Sequence, residues 1–296
     1  MASNGISGLT YKRDRQVAKL DLAADNRDAS ARREYYDITE LPSQYNASDN
    51  NAANRTVNTN PGGVLIGRPW VIHATQDLIT YFDPGNADSY SGTGTTITDL
   101  SSQSINGSLT GTITYTNPYW TNFGSNDYIS SGNLGSLITT DDAFSCEVWY
   151  NNSANVGVVA TITGQATINT GYHFSHIEWL SGGTVKAGLW EGGAITSVNM
   201  ATGLSLNTWY QLVTTYDGTT LRTYVNGEPG GTVAVDFDSP ADDSKNFHIH
   251  WNAEDSTDMG DGTYSQGSYG VIRMYGSALT AAQVQQNYRA EKSDYN

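Results

Sequence analysis

Residues 207–231, NTWYQLVTTYDGTTLRTYVNGEPGG, constrain the fold more than any other stretch of the chain. Trp209 to Tyr216 alternates along a strand, Asp217-Gly218 supplies a turn whose residues tolerate positive φ, and Leu221, Thr223 and Val225 resume the period of two. A second turn follows at Asn226-Gly227. A hairpin patterned in this way buries one face and wets the other, so it needs a second sheet to lie on. The expectation is a β-sandwich.

The remaining patterns agree. Strands are predicted to begin within 64–72 and 77–82, and to follow at 106–115 (with Leu109, Ile113 and Tyr115), 144–150, 185–190 and 246–251. The apolar run 156–162 reads as a strand covered on both sides. Residues 171–180 place Tyr172, Phe174, His176 and Glu178 on one face and His173, Ser175, Ile177 and Trp179 on the other. Trp149, Trp179 and Trp209 lie in strand patterns and are expected in the core. Near the end, Thr280 is positioned to cap a helix whose third residue is Gln283, a reciprocal capping box, with Val284 and Tyr288 facing inward. The predicted class is all-β with a short C-terminal helix, and 31 Gly and 19 Tyr against 7 Pro suit many short strands joined by turns.

Charge and oil are unevenly distributed. Residues 1–70 carry nine Lys and Arg against eight Asp and Glu, a net +1, whereas the rest carries six against twenty-two, a net −16. An acidic sandwich repels phosphate, which argues against nucleic-acid partners, and acidic loops suit Ca²⁺. The lone Cys146 has no internal disulfide partner and reads as a small buried hydrophobe. The first residues lack the apolar run of a secretory signal and no stretch reaches the length of a membrane span, so the expectation is a protein made and kept in the cytosol without membrane insertion.

Residues 1–63 read as an extended arm and linker, and 64–296 as the sandwich. Leu9, Val17, Leu20 and Leu22 are too few apolar groups to offset the ordering entropy of such a segment alone. Residues 46–63, Asn-rich and ending in Pro61-Gly62-Gly63, form the linker. Aromatic and aliphatic anchors that could dock the arm on a partner are Tyr11, Tyr35, Tyr36, Ile38, Leu41 and Tyr45.

The succession of aromatic strand, Tyr216-Asp217-Gly218-Thr219, strand and Tyr224-Val225-Asn226-Gly227 resembles the signature of laminin-G-like domains, the concanavalin A-like jelly roll. Residues 78–100 with 124–129 resemble the opening strands of the version common in marine and phage sequences, and 268–290 resemble its closing strand and terminal helix. The arm, from Leu9-Thr10-Tyr11-Lys12-Arg13-Asp14-Arg15-Gln16 through Leu41-Pro42-Ser43-Gln44-Tyr45, is similar to N-terminal regions of structural proteins of marine tailed phages, cyanophages especially. That resemblance implies a virion component, assembled in the host cytoplasm and released by lysis, in many copies or as a homo-oligomer.

Several constellations could carry chemistry. Glucanases of the same superfold need carboxylates at alternate strand positions, Glu-x-Asp-x-x-Glu. Asp236-Phe237-Asp238 begins with that spacing, but Ala241 stands where the second acid belongs, and Glu147 and Glu178 are solitary in sequence. No catalytic residues are therefore assigned. His248 and His250, two apart on a strand, are half a zinc site without a third ligand at a recognisable spacing; the plainer reading is two polar groups on a wet face while Phe247, Ile249 and Trp251 pack inward. Glu254, Asp255, Asp258 and Asp261 crowd one loop, where Ca²⁺ or solvent would relieve their repulsion. Trp120, Trp190 and Tyr264 sit where turns are expected and are candidates, with the two histidines, for stacking or hydrogen bonding to a sugar. The expectation is a noncatalytic virion protein whose arm binds other virion proteins and whose lectin-like sandwich decorates the particle or adheres to host-surface glycan. The alternatives are a carbohydrate-active or carbohydrate-binding surface protein and a cement protein with no ligand.

Overall fold

The computed structural model describes residues 74–75, 77–123, 127–134, 143–154, 176–237 and 266–295, together with the backbone of the strands at 10–12, 17–19, 58–59, 65–66, 160–165 and 246–249. The chain divides into two units, Met1–Thr75 and Gln76–Asn296. In the first, β1 (Thr10–Lys12) pairs antiparallel with β2 (Val17–Lys19), and β3 (Asn58–Thr59) with β4 (Leu65–Ile66). β3 therefore lies inside the stretch that reads as a linker.

The second unit is a sandwich of two antiparallel sheets. Its strands are β5 (Leu78–Phe82), β6 (Thr96–Ile97), β7 (Gly107–Thr110), β8 (Thr114–Thr116), β9 (Tyr119–Thr121), β10 (Tyr128–Asn133), β11 (Phe144–Asn152) and β12 (Ala160–Gln165). They continue with β13 (His176–Leu180), β14 (Thr184–Glu191), β15 (Ala194–Ala201), β16 (Trp209–Tyr216), β17 (Thr220–Val225), β18 (Glu228–Ala234), β19 (Asn246–Ile249) and β20 (Gly267–Tyr275). Sheet I runs β15-β14-β13-β12-β19-β10-β7-β6; sheet II runs β18-β17-β16-β11-β20-β9-β8, with β5 also paired to β20.

The hairpin read first from the sequence is β16-β17-β18. Gly218 turns the chain at φ 95°, and Asn226 and Gly227 both take positive φ (54° and 81°), the signature of the tight turns that match strand twist. Sequence reading joined residues 106–115 into one strand. The structure breaks it at Gly111 (φ 104°), sending β7 into sheet I and β8 into sheet II.

Both sheets give alternate residues to one core. Ile97, Ile129, Ile177, Val185, Leu189 and Ile249 come from sheet I; Phe144, Val148, Leu212, Leu221, Ile272 and Met274 come from sheet II. Each buried side chain of this size contributes about 1.5–3 kcal/mol by leaving water. Cys146 and Trp179 join this core as expected. Trp149 is buried too, but on the other side of sheet II.

That outer side is sealed by α1 (Ala281–Glu291). Thr280 caps it as the sequence predicts, its side chain accepting from the Gln283 amide while Gln283 reaches back to the Thr280 amide. Val284 is fully buried and Tyr288 half-buried, stacking on Trp149 with centroids 5.8 Å apart. The chain end folds over the same surface: the Tyr295 ring stacks on Trp149 at 4.3 Å, and its hydroxyl accepts from the Val271 amide at 2.9 Å. Gly270 makes this possible, because a Cβ there would lie 2.2 Å from the Tyr295 hydroxyl oxygen. Among the described residues no helix is long and apolar enough to cross a membrane.

Candidate ligand face

Two outward faces flank the core, and their polar groups differ. On sheet II, Glu147, Arg273 and Tyr275 alternate with core residues and so point outward beneath α1. Glu147 accepts from Gln211 Nε2 (2.6 Å), Asn287 Nδ2 (2.7 Å), Arg273 Nη1 (3.2 Å) and Tyr275 Oη (3.4 Å). Arg273 also pairs with Glu291 of α1, whose other oxygen accepts from Trp149 Nε1 at 2.8 Å. The Arg273 guanidinium lies 4.3 Å from the centroid of the Tyr81 ring. Two carboxylates thus share one cation. Burial pushes Glu291 up to about 7; Arg273 opposes the rise and Glu147 adds to it. This cluster fastens the helix to the sheet, and it is what sequence reading missed when Glu147 looked solitary. Its partners lie between 64 and 144 residues away along the chain, where no local spacing links them.

The outer face of sheet I is built differently. Thr96 stands opposite Ser108, Ser108 opposite Ser130, Ser130 opposite His248, and His248 opposite Gly164. Thr163 pairs with Ile177, so the register carried one residue further sets Gly164 beside His176; His176 stands opposite Gly188, and Gly188 opposite Ser197. This is one transverse row across all eight strands. Its members alternate with core residues such as Ile97, Leu109, Ile129, Ile249, Ile177 and Leu189, which places the row on the outward side. Apart from the two histidines, every position is Gly, Ser or Thr. Thr96 and Ser108 at one end are exposed, Ser197 at the other is half-buried, and His176 and Ser130 in the middle are buried.

The next row holds Glu178 opposite Lys186. His176 Nε2 lies 3.1 Å from Glu178 Oε1, and both side chains are buried. Glu178 Oε2 is buried with no hydrogen-bond partner. On the other side of the row, at the end of β14, stands Trp190, followed by the Gly192-Gly193 turn, where both residues take positive φ. The neighbouring Glu191 accepts from Thr196 Oγ1 (2.6 Å) and the Asp236 amide (2.7 Å), and these bonds hold its carboxyl below the usual range.

The expected ligand residues fare unequally. Trp120, expected exposed near a turn, is fully buried in β9 and packs edge-on against Tyr90 at 5.5 Å, because the neighbouring positions, not the indole, form the strand's outer side. Trp190 is on the outward face but only 9% exposed, so it is not the open stacking platform expected. His248 stands in the transverse row by its backbone pairing, next to a core Ile249, and its side chain lies outside the described residues. His250, Tyr264 and the proposed calcium loop with Glu254, Asp255, Asp258 and Asp261 lie outside the described residues. So do Tyr35, Tyr36, Ile38, Leu41 and Tyr45; Tyr11 lies in β1. Trp209, expected in the core, is half-buried on the outward side of sheet II, between Tyr119 (5.0 Å) and Tyr295 (4.8 Å).

Residues 123–285 match the model of the laminin-G-type family described as the concanavalin A-like lectin/glucanases superfamily, more than half of the chain. The chain belongs to that family. The match leaves out residues 78–100, yet β5 pairs with β20 and completes the sandwich. The laminin-G-like fold is similar to the binding domain of Paraclostridial mosquitocidal protein 1 (14% identity, TM-score 0.56, 72% of this chain and 52% of that one). It is also similar to the binding domain of botulinum neurotoxin serotype G (14%, 0.54, 73% and 51%) and to Trypanosoma rangeli sialidase (11%, 0.55, 73% and 33%). The chain spans about half the length of those toxin domains and a third of the sialidase. At these identities the likeness is one of fold. No curated protein matches the chain in sequence.

Proposed function

We propose that this chain is a noncatalytic structural protein of a tailed-phage virion, docked on capsid or tail through residues 1–63 and displaying its laminin-G-like sandwich for decoration or for adhesion to host-surface glycan. Many copies would multiply a weak single-site affinity. The observation that carries the ligand side of this reading is the transverse row on sheet I. Its exposed hydroxyls, Thr96 and Ser108 at one end, with the half-buried Ser197 at the other, offer hydrogen-bonding groups to a polar ligand. The docking side is supported by the arm's balanced charge, its scarcity of apolar residues and its resemblance to phage structural proteins. Other virion proteins are the partners, and lysis is the route of release.

A second reading, a carbohydrate-active enzyme, draws on the buried His176–Glu178 pair. A retaining glycosidase needs two carboxyls about 5–5.5 Å apart. Beside Glu178 the described residues place the His176 imidazole at 3.1 Å.

Mass spectrometry of purified virions of the encoding phage is expected to find the chain in stoichiometric amount, and a fusion of residues 1–63 to a fluorescent protein should co-sediment with particles lacking the native chain. Absence from the virion overturns the proposal. On glycan arrays, specific binding by the full chain supports adhesion and silence leaves decoration; release of reducing ends from a β-glucan by the pure protein would establish the enzyme instead.

A further inference from the structure

Trp209, which the strand pattern places in the core, is an indole that the fold leaves half-buried on the outward side of sheet II. α1 covers that side around Glu147; at the start of β16 a second transverse row begins. Trp209 stands opposite Asn151, Asn151 opposite Ser268, Ser268 opposite Thr121, and Thr121 opposite Thr114. Tyr150, Tyr269 and Trp120, each the sequence neighbour of a row member, belong to the core, so the row itself faces outward. Thr114 is exposed and the other four are half-buried. The row carries no charged side chain, in a part of the chain that holds six Lys and Arg against twenty-two Asp and Glu.

Aromatic and hydrogen-bonding groups meet at one end of this row. Trp209 is held between the Tyr119 ring (centroids 5.0 Å apart, 52° between planes) and the Tyr295 ring (4.8 Å, 48°), so little motion remains to be lost when a ligand stacks on it. Its indole N–H, the Tyr119 hydroxyl and the Asn151 amide have no hydrogen-bond partner among the described residues. Ser268 Oγ donates to Thr121 Oγ1 at 2.9 Å, which leaves the Thr121 hydroxyl proton to an outside acceptor. A hexopyranose brings the matching parts: an apolar C–H face for the rings, and hydroxyls at its edge for the amide and the hydroxyl pair. We propose that Trp209, Tyr119 and Asn151, with the Ser268–Thr121 hydroxyl pair, form a binding site for a neutral hexopyranose residue of a glycan. An uncharged row on an acidic body selects against a sialylated sugar, which the body repels. The site is separate from the sheet I row, and it stands whether or not the virion reading does.

The full chain, applied to an array of neutral and sialylated oligosaccharides, is expected to bind neutral hexose-containing members and to bind their sialylated counterparts more weakly. For the tightest neutral ligand, titrated in solution, Trp209→Ala should lower affinity at least about tenfold and Asn151→Ala about two- to tenfold. Ser108→Ala on sheet I should leave it unchanged. If Trp209→Ala does not fold, Tyr119→Ala is expected to weaken binding with an unchanged circular dichroism spectrum. Silence of the full chain on every neutral glycan, preference for the sialylated forms, or affinity that survives both Trp209→Ala and Tyr119→Ala overturns the proposal. Affinity lost on Ser108→Ala and kept on Trp209→Ala would move adhesion to the sheet I row, overturning this site while sparing that one.

Discussion

The two outward faces of the sandwich carry a buried glutamate each, and the surroundings of Glu147 and Glu178 could hardly differ more. Glu147 is met by four donors from β11's neighbours and from α1. Glu178 has the His176 contact and an oxygen facing no donor. The first face is closed by the chain's own C-terminal helix, so its polar groups serve cohesion. On the second face one oxygen of Glu178 meets only the His176 ring and the other meets no donor.

The comparison can be broken from the sheet II side first. Arg273→Met is expected to destabilise the sandwich by about 3–5 kcal/mol, since it strands two buried carboxylates. A urea denaturation midpoint little changed would mean that the cluster does not fasten α1. Removal of one partner on sheet I should behave otherwise: Glu178→Gln is expected to change stability by less than about 1 kcal/mol, whereas Glu147→Gln should cost about 1–3 kcal/mol by mismatching its donors. Equal effects would erase the distinction between the faces.

Acidity sharpens it further. The folded Glu291 titrates at about 7, above its unfolded value, because burial disfavours its charge. The folded state therefore holds the proton more tightly than the unfolded state, so the stability contributed by this group is fully present below the unfolded value and is lost as pH rises through about 7. Denaturation midpoints measured across that window should fall with rising pH, and Glu291→Gln should flatten the slope; an unchanged slope would assign it to another group. A small effect is expected of Thr280→Ala, about 1 kcal/mol from the lost cap, read by thermal unfolding.

Much of the architecture was legible in order along the chain. Period-two alternation gave most strands, the Asp217-Gly218 and Asn226-Gly227 turns fixed the central hairpin, and Thr280 with Gln283 announced the helix, because each is a local signal spanning a few residues. Gly111 was the exception: its positive φ splits one apparent strand between two sheets, and a lone glycine does not announce that. The aromatic candidates erred for a related reason. Proximity to a turn says little about which side of a short strand an indole takes, so Trp120 proved to be core, and a strand pattern does not say which face of its sheet is the inner one, so Trp209 proved half-buried on the outward side.

By itself the sequence determined the class, the sandwich, the capped helix and the contrast between an acidic oil-rich body and a neutral oil-poor arm, since periodicity and composition act through neighbours in the chain. Only the tertiary structure decided which distant groups meet. Arg273 lies opposite Glu147 and His248 shares a row with His176 through pairings of strands far apart in sequence. That register is set by how two whole faces pack, and a spacing rule that sees one strand at a time has no access to it.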